Sequence, residues 1–452
     1  MIFFILLLNF LFPIDNYYYP YPDNPPANVY QQRRDDFRKH LFDGQVYLAF
    51  SSDFYTKEQH TKFRQNSDIM YLTGYGFKSA ILFMSPDGFQ IDGKTYFELL
   101  YVKKQDNMDK MWNGSRPNKE QIKQFSGIQE VFWDDEIDVN SLFTNKPEML
   151  IAPYTKGEDF APYKDYSYTP IEVDIPFIKN IQEKNPFLII NIDIKKIKLL
   201  REIKDKYEIN LLKKAINISV EAHKKVISQI DNIKYEYEIE GVMEGEFKRL
   251  GAENTAYNSI VGTGLNSCVL HYTTNRDTIH ENDLILFDCG AEYHGYAADI
   301  TRTIPKSGKF NQEQKIIYEI VLNAQKLAIN HCKPGVKHSS VDSIARAYID
   351  SSLIDLGLIE TTAESRRYFP HGTSHYLGLD VHDVGTYTNL QEGNVITVEP
   401  GIYIPEGSDC DKKWWNIGVR IEDDILITKD GYDNLSKNLV KGIHDIEELI
   451  KK

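Results

Sequence analysis

Cysteine is scarce. There are four in 452 residues (Cys268, Cys289, Cys332 and Cys410), with no C-x-x-C among them. That excludes a disulfide framework or a zinc ribbon and points to reduced thiols in a reducing compartment. No basic block exceeds two or three residues, and 52 Lys and Arg against 66 Asp and Glu give a net charge of −14. Such a chain is a poor partner for nucleic acid, whose binding rests on neutralised phosphates, but it can concentrate cations. No apolar run reaches the roughly 20 residues that a bilayer requires, which excludes stable membrane insertion. Low-complexity tracts and short-period repeats are absent too. What remains is ordinary for a globular protein: 42% hydrophobic and 26% charged residues. The length suggests two to three domains with a sizeable core.

The apolar run from Met1 to Phe12 (MIFFILLLNFLF) suits the core of a signal peptide and is too short to span a bilayer. No Lys or Arg precedes it, no A-x-A site follows, and Asn9 and Pro13 interrupt it. Three readings stand: a cleaved export signal, an extension on the first domain, or a start codon placed too far upstream. The expected location is cytoplasmic, or exported if residues 1–12 act as a signal. Asp15 to Pro26 (DNYYYPYPDNPP) reads as a linker or strap, so residues 1–28 are set apart as an extension.

From Val29 the pattern is globular. A helix opens at Gln31 to Phe37. Gln45–Phe50, Ala80–Met84 and Tyr96–Tyr101 are short apolar runs bounded by turn residues, hence strands. This mixture predicts a smaller α/β N-terminal domain over residues 29–185, with a hinge between Asn180 and Ile194 around Pro186. A second unit, 195–452, follows. Apolar residues at helical spacing predict helices over 207–230, 235–250, from Asn311 (with Gln314 as its capping-box partner) and from Ser339 to Gly357. Strand-like runs at 284–288, 296–304, 395–399 and 418–427 complete an α+β plan with a largely antiparallel sheet.

Chemistry concentrates in this second unit. Leu284 to Asp288 is a strand, His294-Gly295 a two-residue turn, and Tyr296 to Thr303 the returning strand. Facing residues then sum to 589, as Tyr293 and Tyr296 do. Asp288 and Asp299 become diagonal neighbours on one face, about 7–8 Å apart between backbones, with Gly290 leaving the space between them open. Two carboxylates converging on apolar strands share a proton or hold a cation; two solvated hairpin acids are the plainer alternative. Next comes a histidine cluster, His371, His375 and His382. It lacks the Glu of H-E-x-x-H, and Ser374 lacks the G-x-S-x-G of a nucleophilic serine. Glu399 ends an apolar strand, and Arg420 and Glu422 share a face of another, where a surface salt bridge is the simple reading. Four carboxylates with imidazole favour manganese over thiolate-bound zinc, with cobalt or zinc able to occupy the site. Two ions bridged by carboxylates would hold a hydroxide for hydrolysis.

These motifs resemble the Xaa-Pro aminopeptidases (aminopeptidase P) of the pita-bread metallopeptidases. The resemblance is carried by Asp288-x10-Asp299 with DITRT, HGTSHYLGLDVHDVG from His371, VEPGIY from Val398 and RIEDD from Arg420. Tyr257 to Gly262, Leu270 to Thr273, FRQNSDIMYLTGY from Phe63 and Met111 to Gly114 add to it. It implies a C-terminal pita-bread catalytic domain and release of the N-terminal residue from peptides with proline second. Asp288, Asp299, His375, Glu399 and Glu422 would hold two Mn2+ per subunit, with Asp299 and Glu422 bridging. Glu399 would also shuttle a proton to the proline nitrogen. His382 would bind the scissile carbonyl, His271 and His371 the proline side, and Tyr403 and Arg420 would brace the carboxylates. Cys289 points to the opposite face, as a packed thiol. The family further implies a homodimer or homotetramer in which the N-terminal domain of one subunit narrows another's entrance, with Trp112 suited to that role. A prolidase, acting on X-Pro dipeptides, shares the fold and ligands; the wording HGTSHYLG and EPGIY leans to the aminopeptidase. A metal-free module that binds peptides or histones, or a creatine-type amidinohydrolase, would lack the ligand set.

Overall fold

The computed structural model describes residues 23–54, 63–152, 176–192 and 195–450. Residues 1–22, with the signal-like run, lie outside them. The described residues form two compact units, one running to Leu200 and one from Arg201.

The first unit is a mixed six-stranded sheet. Its strands are β1 (Gln45–Phe50), β2 (Ala80–Ile91), β3 (Lys94–Val102), β4 (Val131–Trp133), β5 (Glu148–Ile151) and β6 (Ile189–Ile192), in spatial order β4-β3-β2-β1-β5-β6. β1–β2 and β2–β3 are antiparallel; β3–β4, β1–β5 and β5–β6 are parallel. Six helices accompany it: α1 (Ala27–Arg38), α2 (Ser67–Thr73), α3 (Asn107–Asn113), α4 (Lys119–Ser126), α5 (Pro176–Lys184) and α6 (Lys195–Arg201). The strands at 45, 80 and 96 appear where the short apolar runs bounded by turn residues predict them. The helix expected at Gln31 begins earlier, after Pro26, so Ala27 and Asn28 belong to it rather than to the extension. The expected hinge between Asn180 and Ile194 is overturned. α5 buries Ile178 and Ile181, and β6 pairs with β5 as the last strand of this sheet. Pro186 breaks the chain between two packed elements, not between two domains.

The second unit opens with two long helices, α7 (Lys206–Gln229) and α8 (Glu236–Arg249). Asp205 caps α7 in a box with Glu208, satisfying first-turn N–H groups. Short strands follow: β7 (Asn254–Thr255), β8 (Ile260–Thr263), β9 (Leu284–Asp288), β10 (Ala291–Tyr293), β11 (Tyr296–Ala297) and β12 (Thr301–Pro305). The pair α9 (Gln312–His331) and α10 (His338–Asp355) comes next, with the Asn311–Gln314 capping box in place. Then come β13 (Val395–Val398), β14 (Gly401–Ile404), β15 (Ile417–Arg420), β16 (Asp423–Thr428), β17 (Gly431–Asn434) and α11 (Ile443–Ile450). The strands do not form one antiparallel sheet. They make four small ones: β11-β10-β7, β12-β9-β8, β13-β16-β17 and β14-β15. The run expected at 418–427 is broken at Ile421-Glu422 because the Glu422 N–H leaves its strand to bond the carbonyl of Thr301 at 3.1 Å. All four cysteines are free thiols. No helix among the described residues is long and apolar enough to cross a membrane.

Candidate metal centre

The hairpin sets the first two acids. His294 (φ 51°) and Gly295 (φ 83°) supply the two positive φ values of a tight hairpin turn. From there the register runs unbroken: Tyr293 faces Tyr296, and Asp288 faces Thr301. Every pair sums to 589, as the turn dictates. Gly290 does not leave an open space, contrary to the expectation. A Cβ there would lie 1.8 Å from the Ala298 carbonyl oxygen and 2.9 Å from the Tyr257 ring. Glycine is needed because backbone and ring already fill the gap. The Tyr257 hydroxyl lies 2.5 Å from Asp288 Oδ1 and 2.7 Å from Asp299 Oδ1, tying the two carboxylates together. Tyr257 appeared in a quoted motif but carried no role in the sequence reading; no local pattern connects it to acids 31 and 42 residues downstream.

The histidine and the third acid meet through strand-like pairing. Thr397 donates its N–H to the His375 carbonyl, Glu399 to that of Thr373, and Tyr376 bridges Ile396. His375 Nε2 then sits 3.3 Å from Asp299 Oδ2 and 3.5 Å from Glu399 Oε1. Its Nδ1 lies 3.0 Å from the Tyr376 carbonyl, which fixes the proton there. Burial pushes the imidazole down to about 4, so Nε2 carries a lone pair. A lone pair aimed at two carboxylate oxygens is repulsive unless a cation or proton lies between them. Glu422, 1% exposed, accepts from Thr301 Oγ1 at 2.7 Å. Ligand atoms of Asp299, His375 and Glu422 all fall within 4.8 Å of one another.

Electrostatics agree. Burial, then the charges of Asp288 and Glu399, pushes the Asp299 carboxyl well above the usual range. Burial, then Glu422, does the same to Glu399. Burial, then Asp299 and Asp288, does it to Glu422. Against these acids stands Arg420. It does not form a surface salt bridge with Glu422. Instead it is buried, with Nη2 2.6 Å from Asp288 Oδ2, Nε 3.1 Å from Thr301 Oγ1 and Nη1 2.9 Å from Tyr403 Oη. Tyr403 Oη lies 2.8 Å from His371 Nε2, and His371 Nδ1 lies 2.7 Å from the Gly372 carbonyl. Burial lowers His371 to about 3. Donation therefore runs Arg420 to Tyr403 to neutral His371 to Gly372, and both nitrogens of His371 are engaged. Cys289 is fully buried beside Asp288, as its register predicts.

Asp288, Asp299, His375, Glu399, Glu422, Arg420, His371, His382 and His271 all line one cavity of about 290 Å3, with Tyr403 behind it. His382 packs edge-on to His375 at 4.3 Å between ring centroids. Ile260, Leu270 and Val381 give the cavity an apolar side. A cluster of acids lifted by burial and then by mutual repulsion, one imidazole lone pair and a bracing arginine fit hard divalent cations.

An α+β unit presenting such a cavity, preceded in sequence by a separate mixed-sheet unit, defines a metal-dependent hydrolase of the pita-bread class. Comparison with known proteins narrows this. Residues 210–429 match the Metallopeptidase family M24, and residues 30–147 match the Aminopeptidase P, N-terminal domain. The Xaa-Pro aminopeptidase of Escherichia coli K12 is 33% identical over 439 residues, 93% of this chain and 97% of that protein. That of Haemophilus influenzae is 34% identical over 404 residues, 86% and 88% of the two chains. Among solved structures, aminopeptidase P from E. coli with the inhibitor Pro-Leu superposes with a TM-score of 0.82 at 31% identity, covering 95% of this chain and 99% of that one. Aminopeptidase PepP from Pseudomonas aeruginosa gives 0.81 at 29%, covering 95% and 98%. The chain belongs to the Xaa-Pro aminopeptidase family, and it is a metal-dependent enzyme of that type.

Proposed function

We propose that this cavity releases the N-terminal residue from peptides with proline in second position, with Asp288, Asp299, His375, Glu399 and Glu422 holding two Mn2+ ions. The observation that carries the reading is the convergence of Asp299, His375 and Glu422 within 4.8 Å, around an imidazole lone pair that needs a cation. The oxygen-rich donor set supports manganese, with cobalt or zinc as substitutes. When bound, such ions lower the pKa of a water molecule and polarise the scissile carbonyl.

The side chains do the rest. Glu399, whose carboxyl is pushed up by burial and by Glu422, accepts a proton from the attacking water and returns it to the leaving proline nitrogen. His382, at the cavity wall beside His375, donates to the carbonyl oxygen as negative charge develops there. Tyr257 holds Asp288 and Asp299 side by side, and Arg420 fixes Asp288 and Tyr403. His371, with both nitrogens engaged, offers its ring face to the proline side, and His271 lines that side with it. The N-terminal domain, expected over 29–185, is assigned from Ala27 to Leu200, and the catalytic domain from Arg201 onward. Four free thiols support a cytoplasmic location. Trp112, 77% exposed on a helix that buries none of its side chains, supports a homodimer or homotetramer that covers it; light scattering tests the assembly.

The test of function compares kcat/KM of the Mn2+-loaded enzyme on Xaa-Pro, Xaa-Pro-Yaa-Zaa and Xaa-Ala-Yaa with a common leading residue. Efficient cleavage of the tetrapeptide and rejection of the alanine peptide are expected. A strong dipeptide preference would move the protein to prolidase.

A further inference from the structure

Glu236 is the first residue of α8 and is fully buried. A carboxylate removed from water has to be answered by donors or charge. Its Oε1 accepts from Thr263 N at 2.9 Å, Thr263 Oγ1 at 2.9 Å and Asn266 Nδ2 at 3.1 Å. Its Oε2 accepts from Asp277 N at 2.9 Å, and its own N–H returns to the Asp277 carbonyl at 3.1 Å. The helix N-terminus adds favourable field.

All of these partners lie on one segment, residues 263–277, and the two ends of that segment close on the same side chain. Between the ends, Leu270, His271 and Thr273 form part of the cavity wall. His271 is exposed, and no hydrogen bond holds its ring among the described residues. Its place is therefore set by the segment that carries it. Asn275 adds an inner pin: buried, at φ 49°, it accepts from Val261 N at 3.0 Å and donates to Ser259 O at 2.7 Å.

We propose that Glu236 is a positioning residue for the peptidase reaction: by pinning both ends of segment 263–277 it holds Leu270 and His271 at the cavity wall and sets affinity for the proline side of the substrate. This rests on the reading of His271 as part of that side. Glu236→Gln keeps the shape and one acceptor but turns the other towards Asp277 N as a donor. Loss of that charge-assisted bond predicts a rise in KM of about ten-fold. Because the lost interaction is uniform binding, kcat stays near the wild-type value.

The experiment measures kcat, KM and metal content of the Mn2+-loaded enzyme on a Xaa-Pro-Ala tripeptide. It uses Glu236→Gln, Thr263→Val, His271→Ala and the Glu236→Gln/His271→Ala double variant. Raised KM with retained kcat is expected for Glu236→Gln, and a smaller rise for Thr263→Val, which deletes one donor and keeps the fold if Glu236→Gln does not. The double variant should bind no worse than His271→Ala alone, since coupled residues are non-additive. Wild-type KM in Glu236→Gln and Thr263→Val beside an impaired His271→Ala overturns the clamp, as does an additive double variant. A fall in kcat at unchanged KM reduces Glu236 to a structural role and also overturns it. Wild-type KM in His271→Ala overturns the underlying reading of His271 instead.

Discussion

Glu422 and Asp423 are adjacent, both buried, and their carboxyl groups are driven in opposite directions. Burial pushes both up. At Asp423 the charges of Arg302 and Lys441 and the bonds from Lys441 and Asn434 outweigh it, and the carboxyl falls well below the usual range. Arg302 Nη2 lies 2.8 Å from one oxygen, and Asn434 Nδ2 lies 2.8 Å from the other. Glu422 instead faces Asp299 and Asp288, whose charges add to the effect of burial. Asp423 is a finished ion cluster that ties β12, β16 and the segment before α11 together. Glu422 belongs to a cluster left short of positive charge. Burial alone thus says little about an acid's purpose; the sign of what surrounds it decides between holding the fold and holding a ligand.

The contrast breaks most decisively by removing metal. Chelation should abolish peptide cleavage, and Mn2+ should restore it better than Mg2+, which keeps its waters and suits imidazole poorly. Full activity in metal-stripped protein would sink the account of the acids. Next in size, Glu399→Gln and His382→Ala should each lose roughly 10²–10⁴ in kcat with the fold intact. Metal content must be read beside rate for Glu399→Gln; wild-type kcat in either variant removes its assigned role.

The sharpest form of the comparison pairs two neighbours. Asp423→Asn leaves Arg302 and Lys441 buried without their counter-charge and should cost about 3–5 kcal/mol in denaturant unfolding of the metal-free protein. Glu422→Gln should leave the metal-free protein at least as stable at pH 7 while cutting metal affinity. The signs follow from linkage. A lowered carboxyl contributes stability present above the ordinary range near pH 4 and lost as pH falls through its folded value. A raised one penalises the metal-free fold at neutral pH, and the penalty is relieved as pH falls. If Glu422→Gln proves the more destabilising of the two, the comparison fails. The smallest effect is expected at Tyr257→Phe. Losing the hydroxyl that joins Asp288 and Asp299 should weaken metal binding about ten-fold, read by Mn2+ titration followed by calorimetry.

Much of this centre could be read from local pattern. A two-residue turn gives the hairpin register by arithmetic, so Asp288 and Asp299 emerge together, and strand-end acids at Glu399 and Glu422 stand out from apolar runs. Long-range pairing is what stays hidden. The contacts of Tyr257 with the hairpin, Glu236 with segment 263–277, and Arg420 with Asp288 span 27 to 132 residues, and no periodicity encodes them. The same limit explains the misplaced hinge. The stretch 180–194 is mixed as a whole, and the four residues 189–192 (IINI) within it form a strand along the edge that β5 offers. Gly290 misled for a related reason: an absent side chain signals a gap or a close approach, and only the fold tells which.

The His294–Gly295 turn also bears on how the chain tolerates changes in length. Adding or deleting one residue there slides Tyr296 to Pro305 by one position against Leu284 to Tyr293. Strand side chains alternate, so an odd slip rotates Asp299 out of line with Asp288 and Tyr257, towards the side on which Cys289 packs. Substitutions in the turn are therefore graded in effect, whereas a single-codon insertion or deletion acts on the ligand set as a whole. The hairpin works as a parity check on its own length.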